Sequence, residues 1–213
     1  MDIILFGPPG AGKGTQAAAA CEAASVVHVS TGDIFRHHLK NGTRLGEKVR
    51  SYMDEGKLVP DELVVEVVAS RLEKDDARGG VLFDGFPRTV NQARLLQQWL
   101  LDHGRNIDLV LNLVVPDEVV ESRLSGRRSC LTCGASYHVD YKPPGPDDAC
   151  TQCVAVVVQR SDDQPETVRK RIATYHSQTA PVLDWARGVV KVSDINANQA
   201  IKTVRSEVLA ALQ

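Results

Sequence analysis

The sequence has few aromatic residues and almost no net charge. Phe, Trp and Tyr make up 5% of its 213 residues, and the formal net charge is -2 at pH 7. A charge balance this close to zero excludes a global basic field for nucleic acid or an anionic membrane, so phosphate recognition must come from locally placed Arg and Lys side chains. The scarcity of aromatic residues also argues against a base-stacking surface for nucleic acid.

Long apolar runs and export signals are lacking as well. No uncharged stretch reaches the roughly 18 residues that a membrane span needs, and no basic start precedes an apolar leader segment. The five cysteines lie in a chain that is neither small nor visibly targeted for export, which favours metal binding over disulfides. We therefore expect a cytoplasmic protein with one α/β core and insertions.

Five apolar runs without polar alternation predict strands that are buried on both faces of a parallel sheet. They cover residues 1–6, 26–29, 81–83, 109–115 and 189–192. Helical patterns alternate with them over residues 14–24, 62–74, 90–101 and 117–124. We expect Asp61 and Thr89 to cap the second and third of these helices. Strands that alternate with helices predict a doubly wound α/β fold.

Two segments interrupt this alternation. Residues 30–59 are helical in pattern but contain no strand, and residues 126–163 contain four cysteines and a cluster of Pro and Gly. We interpret both as insertions over one edge of the sheet. The core then consists of residues 1–29, 60–125 and 164–213.

The clearest chemical motif is a glycine-rich loop between the first predicted strand and helix. Residues 7–15 are Gly-Pro-Pro-Gly-Ala-Gly-Lys-Gly-Thr. Such glycines let backbone N–H groups turn toward an anion at a helix N-terminus, and Lys13 adds a mobile charge for the β- and γ-phosphates of a nucleotide. The general pattern has the hydroxyl residue directly after the lysine, whereas here Gly14 intervenes. The predicted phosphate contacts are Gly10, Ala11, Gly12, Lys13, Gly14 and Thr15.

This Gly-Lys-Gly-Thr variant resembles the nucleoside monophosphate kinases, and the adenylate kinase family in particular. Three more stretches match that family's monophosphate-binding signatures in the right order: Ser-Thr-Gly-Asp at 30–33 with Arg36, Gly-Lys-Leu-Val at 56–59, and Asp-Gly-Phe-Pro-Arg-Thr at 84–89 with Gln92. The resemblance covers nearly the whole chain. It implies a P-loop nucleoside triphosphate hydrolase-like fold, a helical AMP-binding insertion and a small zinc-containing β lid.

The resemblance implies an AMP site whose residues also make physical sense. Arg36 and Arg88 can grip a phosphate bidentately, and Gln92 can both donate to and accept from a purine edge. Taken alone, Gln92 is a polar residue on the exposed side of a helix. The implied AMP contacts are Thr31, Arg36, Lys57, Leu58, Val59, Gly85, Phe86, Pro87, Arg88, Gln92, Arg160 and Arg171.

Phosphoryl transfer needs charge neutralisation and in-line positioning more than covalent chemistry, so we name no general base. Asp84 follows a predicted strand near the loop, where a carboxylate can hold Mg²⁺ directly or through water. The predicted catalytic set is Lys13, Asp84 and Arg88, with Arg127, Arg160 and Arg171 added by the resemblance. The resemblance adds Arg123, Arg127, Ser136, Tyr137 and Asn196 on the ATP side, and it assigns Asp162 and Asp163 to lid closure.

The cysteines form two Cys-x2-Cys pairs, Cys130 with Cys133 and Cys150 with Cys153, separated by 16 residues. This spacing supplies four thiolates for a tetrahedral structural zinc, and a pair of disulfides is the alternative. The fifth, Cys21, suits a small buried side chain. Gly134 follows the first pair and suits a turn with positive φ, but Val154 stands at the equivalent place after the second. We expect that second turn to be strained or differently built.

We therefore predict a Mg-dependent enzyme that transfers a phosphoryl group from ATP to AMP and forms ADP. We expect a monomer with no nucleic-acid or membrane partner. The alternatives within this class are a kinase for another nucleoside monophosphate and one that uses GTP as donor. A zinc-ribbon nucleic-acid-binding P-loop ATPase is the alternative from another class, but the balanced charge and the Asp162–Asp163 pair argue against it. A purely structural zinc protein would leave the glycine-rich loop unexplained.

Overall fold

We describe the chain from a computed structural model that covers residues 1–213. It contains two sheets. The strands are β1 (Asp2–Phe6), β2 (Val27–Ser30), β3 (Val81–Asp84), β4 (Ile107–Val114), β5 (Arg127–Cys130), β6 (Ser136–His138), β7 (Val157–Val158) and β8 (Lys191–Asn196). Five of them form a parallel sheet in the order β2-β3-β1-β4-β8, and the others form an antiparallel sheet in the order β6-β5-β7.

Helices surround the parallel sheet. They are α1 (Lys13–Ala24), α2 (Thr31–Lys40), α3 (Arg44–Asp54), α4 (Asp61–Leu72), α5 (Val90–Asp102), α6 (Asp117–Ser125), α7 (Pro165–Thr174), α8 (Pro181–Arg187) and α9 (Ile201–Ala211). A π-helical segment, Tyr175–Thr179, joins α7 to α8. None of the helices combines the length and the apolar content that crossing a membrane requires.

The parallel sheet is buried on both faces, as its apolar runs predict. In the central strand β1, Ile4 and Phe6 pack into one apolar cluster, while Ile3 and Leu5 pack into the opposite one. Successive side chains of a strand point to opposite faces, so an entirely apolar strand supports two cores at once. The predicted α/β fold with a parallel sheet flanked by helices is confirmed.

The strand order brings the candidate motifs together. β1 lies between β3 and β4, and the three strands are parallel, so their carboxyl ends meet at one edge of the sheet. The glycine-rich loop leaves β1 there, and Asp84 ends β3 beside it. Ligands of open α/β sheets bind in crevices at this edge.

Two predictions about local structure were wrong in detail. The last strand of the sheet covers Lys191–Asn196 rather than 189–192, because an edge strand paired only with β4 can carry polar residues. Asp61 does not cap α4: the helix begins at Asp61 itself, Pro60 is the N-cap residue, and no side chain caps this end. The Asp61 side chain instead faces the start of α5. The predicted cap by Thr89 is present, since its Oγ1 accepts from the Gln92 N–H at 3.0 Å.

Helices α2 and α3 form a closely packed pair that follows β2. A Cβ on Gly46 of α3 would clash with the carbonyl oxygen of His38 in α2, so glycine permits this approach. No strand lies between Thr31 and Val59. The second insertion, after α6, carries the antiparallel sheet and returns to the core at α7.

Candidate active site

The glycine-rich loop wraps the N-terminus of α1. Gly10 and Gly12 adopt positive φ angles of 76° and 96°, which glycine tolerates far better than other residues. A Cβ on Gly12 or Gly14 would meet nothing within 4 Å, so the space in front of the helix end is open. The Lys13 Nζ folds back over the loop and donates to the carbonyl oxygens of Gly7 at 2.7 Å and Pro8 at 2.9 Å. This arrangement suits a polyphosphate at a helix N-terminus.

The environment of Lys13 is strongly cationic. Burial, together with the nearby guanidinium groups of Arg88, Arg171 and Arg127, lowers the pKa of Lys13 to about 8, although the Asp84 carboxylate opposes the shift. A lowered pKa means that the ammonium lacks enough negative charge around it. The site therefore favours an anion in front of Lys13.

Five arginines lie near one another: Arg36, Arg88, Arg127, Arg160 and Arg171. Three of them, Arg88, Arg127 and Arg171, also lie near Lys13 of the loop. Desolvation in the site and the neighbouring charge of Arg171 lower the pKa of Arg88 to about 10. Desolvation and the charges of Arg36 and Arg127 lower the pKa of Arg160 to about 9. Arginine remains protonated in both cases at neutral pH. Converging cations of this kind suit the charge that develops in phosphoryl transfer.

A buried carboxylate holds two of these arginines. Asp163 is 0% exposed and accepts from Arg127 Nε at 2.7 Å and from Arg171 Nη1 at 3.0 Å. Arg171 also donates to the Asp162 carbonyl at 2.8 Å. The Asp162–Asp163 pair thus sits at the junction between the second insertion and α7, where it orients two of the predicted phosphate ligands.

A cleft beside the loop contains most of the predicted AMP residues. Those that line it are Thr31, Arg36, Lys57, Leu58, Val59, Gly85, Arg88, Gln92 and Arg171. Phe86 and Pro87 are buried in the protein instead, and Arg160 lies outside this lining. The sequence prediction missed the apolar wall, which Phe35, Met53 and Val64 provide from α2, α3 and α4. The i, i+4 spacing of Phe35 from Thr31 was the available signal for one of these residues.

The carbonyl oxygen of Gly85 links two of the residues that line the cleft. It accepts from Thr31 Oγ1 at 2.8 Å and from Arg88 Nε at 2.7 Å. Gly85 has φ 73°, and a Cβ there would lie 3.0 Å from the Arg88 guanidinium. A larger residue would therefore displace the predicted phosphate ligand.

Asp84 is the one acidic residue of the predicted catalytic set, and its charge acts on the loop lysine. Its side chain is 13% exposed, and its Oδ2 lies 3.4 Å from Nε2 of His28. A single partly exposed carboxylate beside a phosphate site fits Mg²⁺, which usually retains waters and phosphate oxygens as its other ligands.

The predicted ATP-side residues have different surroundings. Arg123 donates to the carbonyl of Ala197 at 2.9 Å, directly after Asn196, which ends β8. Ser136 is exposed on β6, whereas Tyr137 is buried and its hydroxyl contacts Thr151 Oγ1 at 2.9 Å. The Tyr137 side chain is thus not exposed to a nucleotide, and the ATP-side roles remain predictions.

The four paired cysteines come together in the antiparallel sheet. Their sulfur atoms all lie within 4.8 Å of one another, with Cys130–Cys153 at 3.4 Å and Cys133–Cys150 at 3.5 Å. A tetrahedral zinc with bonds of about 2.3 Å separates its sulfurs by about 3.8 Å, so the cluster fits that ion. All five cysteines are free, and burial raises the pKa of the half-buried Cys21 to about 11.

The two Cys-x2-Cys turns have the same construction. The Gly134 N–H donates to the Cys130 carbonyl at 2.9 Å, and the Val154 N–H donates to the Cys150 carbonyl at 2.8 Å. Gly134 has φ 80° and Val154 has φ 65°. The expected strain at Val154 is therefore present, and the second turn is not built differently.

A parallel α/β sheet with a phosphate-binding loop at the carboxyl end of its central strand defines a P-loop nucleotide-binding protein. The family model for adenylate kinase matches residues 5–189.

The chain is 50% identical to an adenylate kinase of Caldicellulosiruptor bescii over 100% of this chain and 99% of the relative. It is 48% identical to an adenylate kinase of Caldicellulosiruptor saccharolyticus with the same coverage, and 47% identical to one of Clostridium perfringens strain SM101 over 96% of this chain and 94% of the relative. The chain belongs to the adenylate kinase family.

Proposed function

We propose that the protein reversibly transfers the terminal phosphoryl group of ATP to AMP and forms two molecules of ADP. The relatives named adenylate kinase match along their full length, which supports this reaction. The main structural support for the proposal is that the two predicted phosphate sites lie next to each other. Arg88 and Arg171 line the AMP cleft and are close enough to Lys13 in the loop to lower its pKa. A donor phosphate and an acceptor phosphate held at these places would face each other.

In this proposal the backbone N–H groups of residues 10–15 and Lys13 bind the ATP phosphates, while Arg36 and Arg88 bind the AMP phosphate. Arg127, Arg160 and Arg171 lie between them and neutralise the transferred group. Mg²⁺ bound with ATP would be held by Asp84, directly or through water, and would neutralise charge on the phosphate oxygens. The chain's own contribution is positioning and charge, because no step needs a covalent intermediate.

We propose three working parts. Residues 1–29, 60–125 and 164–213 form the core, 30–59 form the AMP-binding insertion, and 126–163 form a lid over ATP. One hydrogen bond, from Ser161 Oγ to Asp54 Oδ1 at 3.2 Å, joins the base of the lid to α3 of the AMP insertion. Closing both insertions over the nucleotides would exclude water and suppress hydrolysis. We also expect a monomer, a cytoplasmic location and no nucleic-acid or membrane partner.

We propose further that the four lid cysteines hold a structural zinc. The sulfur distances support it, as do the N–H donors that stabilise thiolates, for example Gln152 N–H to Cys150 Sγ at 3.4 Å. Protein purified without chelator is expected to contain one zinc per chain by elemental analysis. Zinc-free protein with full lid structure would contradict this role.

The reaction is tested by a coupled assay for ADP formation from ATP and AMP, with and without Mg²⁺. Lys13→Ala and Arg88→Ala are each expected to lower turnover about 100-fold or more, since each removes a charge that contacts a phosphate. Arg78→Ala is the control, because Arg78 forms only an exposed ion pair with Asp75. Replacing AMP by UMP, CMP or GMP, and ATP by GTP, tests the nucleotide preference. Near-normal turnover in either active-site variant would contradict the assigned roles.

A further inference from the structure

The carboxylate of Asp61 is a shared acceptor for three side chains at the start of α5. Its Oδ1 accepts from Gln92 Nε2 at 2.7 Å, and its Oδ2 accepts from Thr89 Oγ1 and Asn91 Nδ2, both at 2.9 Å. An ionised carboxylate can only accept hydrogen bonds, so each group that faces it must be a donor. Asp61 therefore determines which atom of the Gln92 amide points toward it.

Gln92 has a second partner that is equally restrictive. Its Oε1 accepts from the backbone N–H of Arg88 at 2.8 Å, and a backbone N–H can only donate. Gln92 is 1% exposed although it lines the cleft. Rotating its amide by half a turn would set two acceptors against each other at Asp61 and two donors against each other at Arg88. Leaving buried polar groups unpaired in this way is costly, so the amide has one allowed orientation.

The fixed amide determines which purine edge fits the cleft. One N–H and one oxygen lone pair of Gln92 remain after its two internal hydrogen bonds. Adenine offers an acceptor at N1 and a donor at its 6-amino group, while guanine offers a donor at N1 and an acceptor at its 6-oxygen. Arg36 and Arg88 fix the phosphate end of the nucleotide, so the base is not free to turn over. An amide held in one orientation matches one of these two bases and opposes the other at both atoms.

We propose that Asp61 is a positioning residue that makes the cleft select adenine over guanine, because it holds the Gln92 amide in the orientation that adenine requires. Asp61 acts through Gln92. This inference rests on the proposed function, since it takes AMP as the occupant of the cleft. The same Gln92 side chain also supports the backbone of Arg88, so base and phosphate recognition share one network.

The test is the Asp61→Asn variant, which replaces one acceptor oxygen by a donor at nearly constant size. If the remaining oxygen stays with Thr89 and Asn91, the new amide faces Gln92 Nε2, and Gln92 must lose a bond or rotate. We expect kcat/KM for AMP to fall about 10- to 100-fold, mainly through KM, and the AMP-to-GMP ratio of kcat/KM to fall at least about tenfold. The KM for ATP is expected to stay unchanged.

Asn91→Ala is the matched control, since it removes one donor from the same carboxylate and leaves the Gln92 hydrogen bond in place. Its AMP-to-GMP ratio is expected to equal that of the wild type. A wild-type enzyme that forms no ADP from AMP would overturn the proposed function. An active wild type together with a folded Asp61→Asn variant of unchanged selectivity would overturn the positioning role.

A measurement on the wild type keeps the proposal testable if Asp61→Asn does not fold. Gln98 is an exposed glutamine on the same helix whose amide also donates to a carboxylate, that of Asp102, at 2.8 Å. In a nitrogen-15 NMR exchange experiment, the Gln92 side-chain amide is expected to exchange with solvent at least about tenfold more slowly than that of Gln98. Equal exchange rates would show that the Gln92 amide is not held, and would overturn the inference.

Discussion

Val154→Gly is expected to stabilise the lid, because Val154 occupies a backbone conformation that suits glycine. Its φ is 65° in a turn whose counterpart is Gly134 with φ 80°. A β-branched residue in this region costs about 1–3 kcal/mol. Introducing glycine lowers the stability of the folded state by about 0.4–1 kcal/mol, because glycine gives the unfolded chain more conformational freedom. Val154 is 80% exposed, so the loss of apolar burial is only about 0.5 kcal/mol. The net gain is about 1 kcal/mol.

The gain is measurable in two ways. The Tm of the zinc-loaded protein is expected to rise by about 2–4 °C, the shift that 1 kcal/mol produces in a chain of this size. Zinc transfer to a competing chelator is expected to need about fivefold more chelator, because the strained turn is part of the metal-bound state. Gly134→Val is the reciprocal control and should lower both quantities. An unchanged or lower Tm in Val154→Gly, or a harmless Gly134→Val, would refute the strain argument.

Two further predictions follow from buried charges. The pKa of Lys13 is lowered to about 8 from an ordinary value of 10.5, so the free enzyme loses this charge above about pH 8. We therefore expect kcat/KM for ATP to fall above that pH. The Lys13→Arg variant should keep its residual activity to higher pH, because arginine stays protonated. Between about pH 8 and 10.5 the folded state binds fewer protons at Lys13 than the unfolded chain does, so the contribution of Lys13 to the free energy of unfolding should rise over this range. Urea titrations at several pH values measure this contribution, and a fall over the range would contradict the lowered pKa of Lys13. Asp2→Ala removes a carboxylate whose side chain is 4% exposed and accepts hydrogen bonds from Arg105 and from the Val81 N–H. This variant should lower the free energy of unfolding by about 3 kcal/mol. The control Asp75→Ala, which removes one partner of an exposed ion pair, should change the free energy of unfolding by less than about 0.5 kcal/mol.

The sequence predicted the bounds of β1 and β3 to within one residue. β1 and β3 have apolar residues at almost every position because each lies between two strands and under helices on both faces. The edge strand β8 is less constrained. Within β8 only Ile195 is buried, and the strand carries Ser193 and Asp194, so its apolar pattern is too weak to fix its bounds. Helices α7 to α9 had no predicted counterpart.

The glycine-rich loop and the cysteine pairs are predictable because each is a local device. Backbone N–H groups that surround a phosphate must be consecutive, and a metal turn needs two ligands three residues apart, so both leave a pattern in the sequence. The apolar wall of the cleft leaves no such pattern. Phe35, Met53 and Val64 come from three helices, and only the packing of those helices shows that the three side chains face one space.

Asp61 was wrongly predicted to cap α4, because the prediction used only the residues that follow it in the sequence. An acidic residue directly before a helical pattern favours a cap, which satisfies one or two backbone N–H groups. The packing of α4 against α5 offers three side-chain donors from positions 28 to 31 residues further along the chain, and a charged acceptor gains more from three donors than from one. The same packing buries Gln92, which the helical pattern alone placed on the exposed side. A glutamine free in solvent could present either edge of its amide to a base, whereas a buried one between a carboxylate and a backbone N–H can present only one. In our proposal, selectivity at this position therefore depends on a residue that the binding motif does not contain.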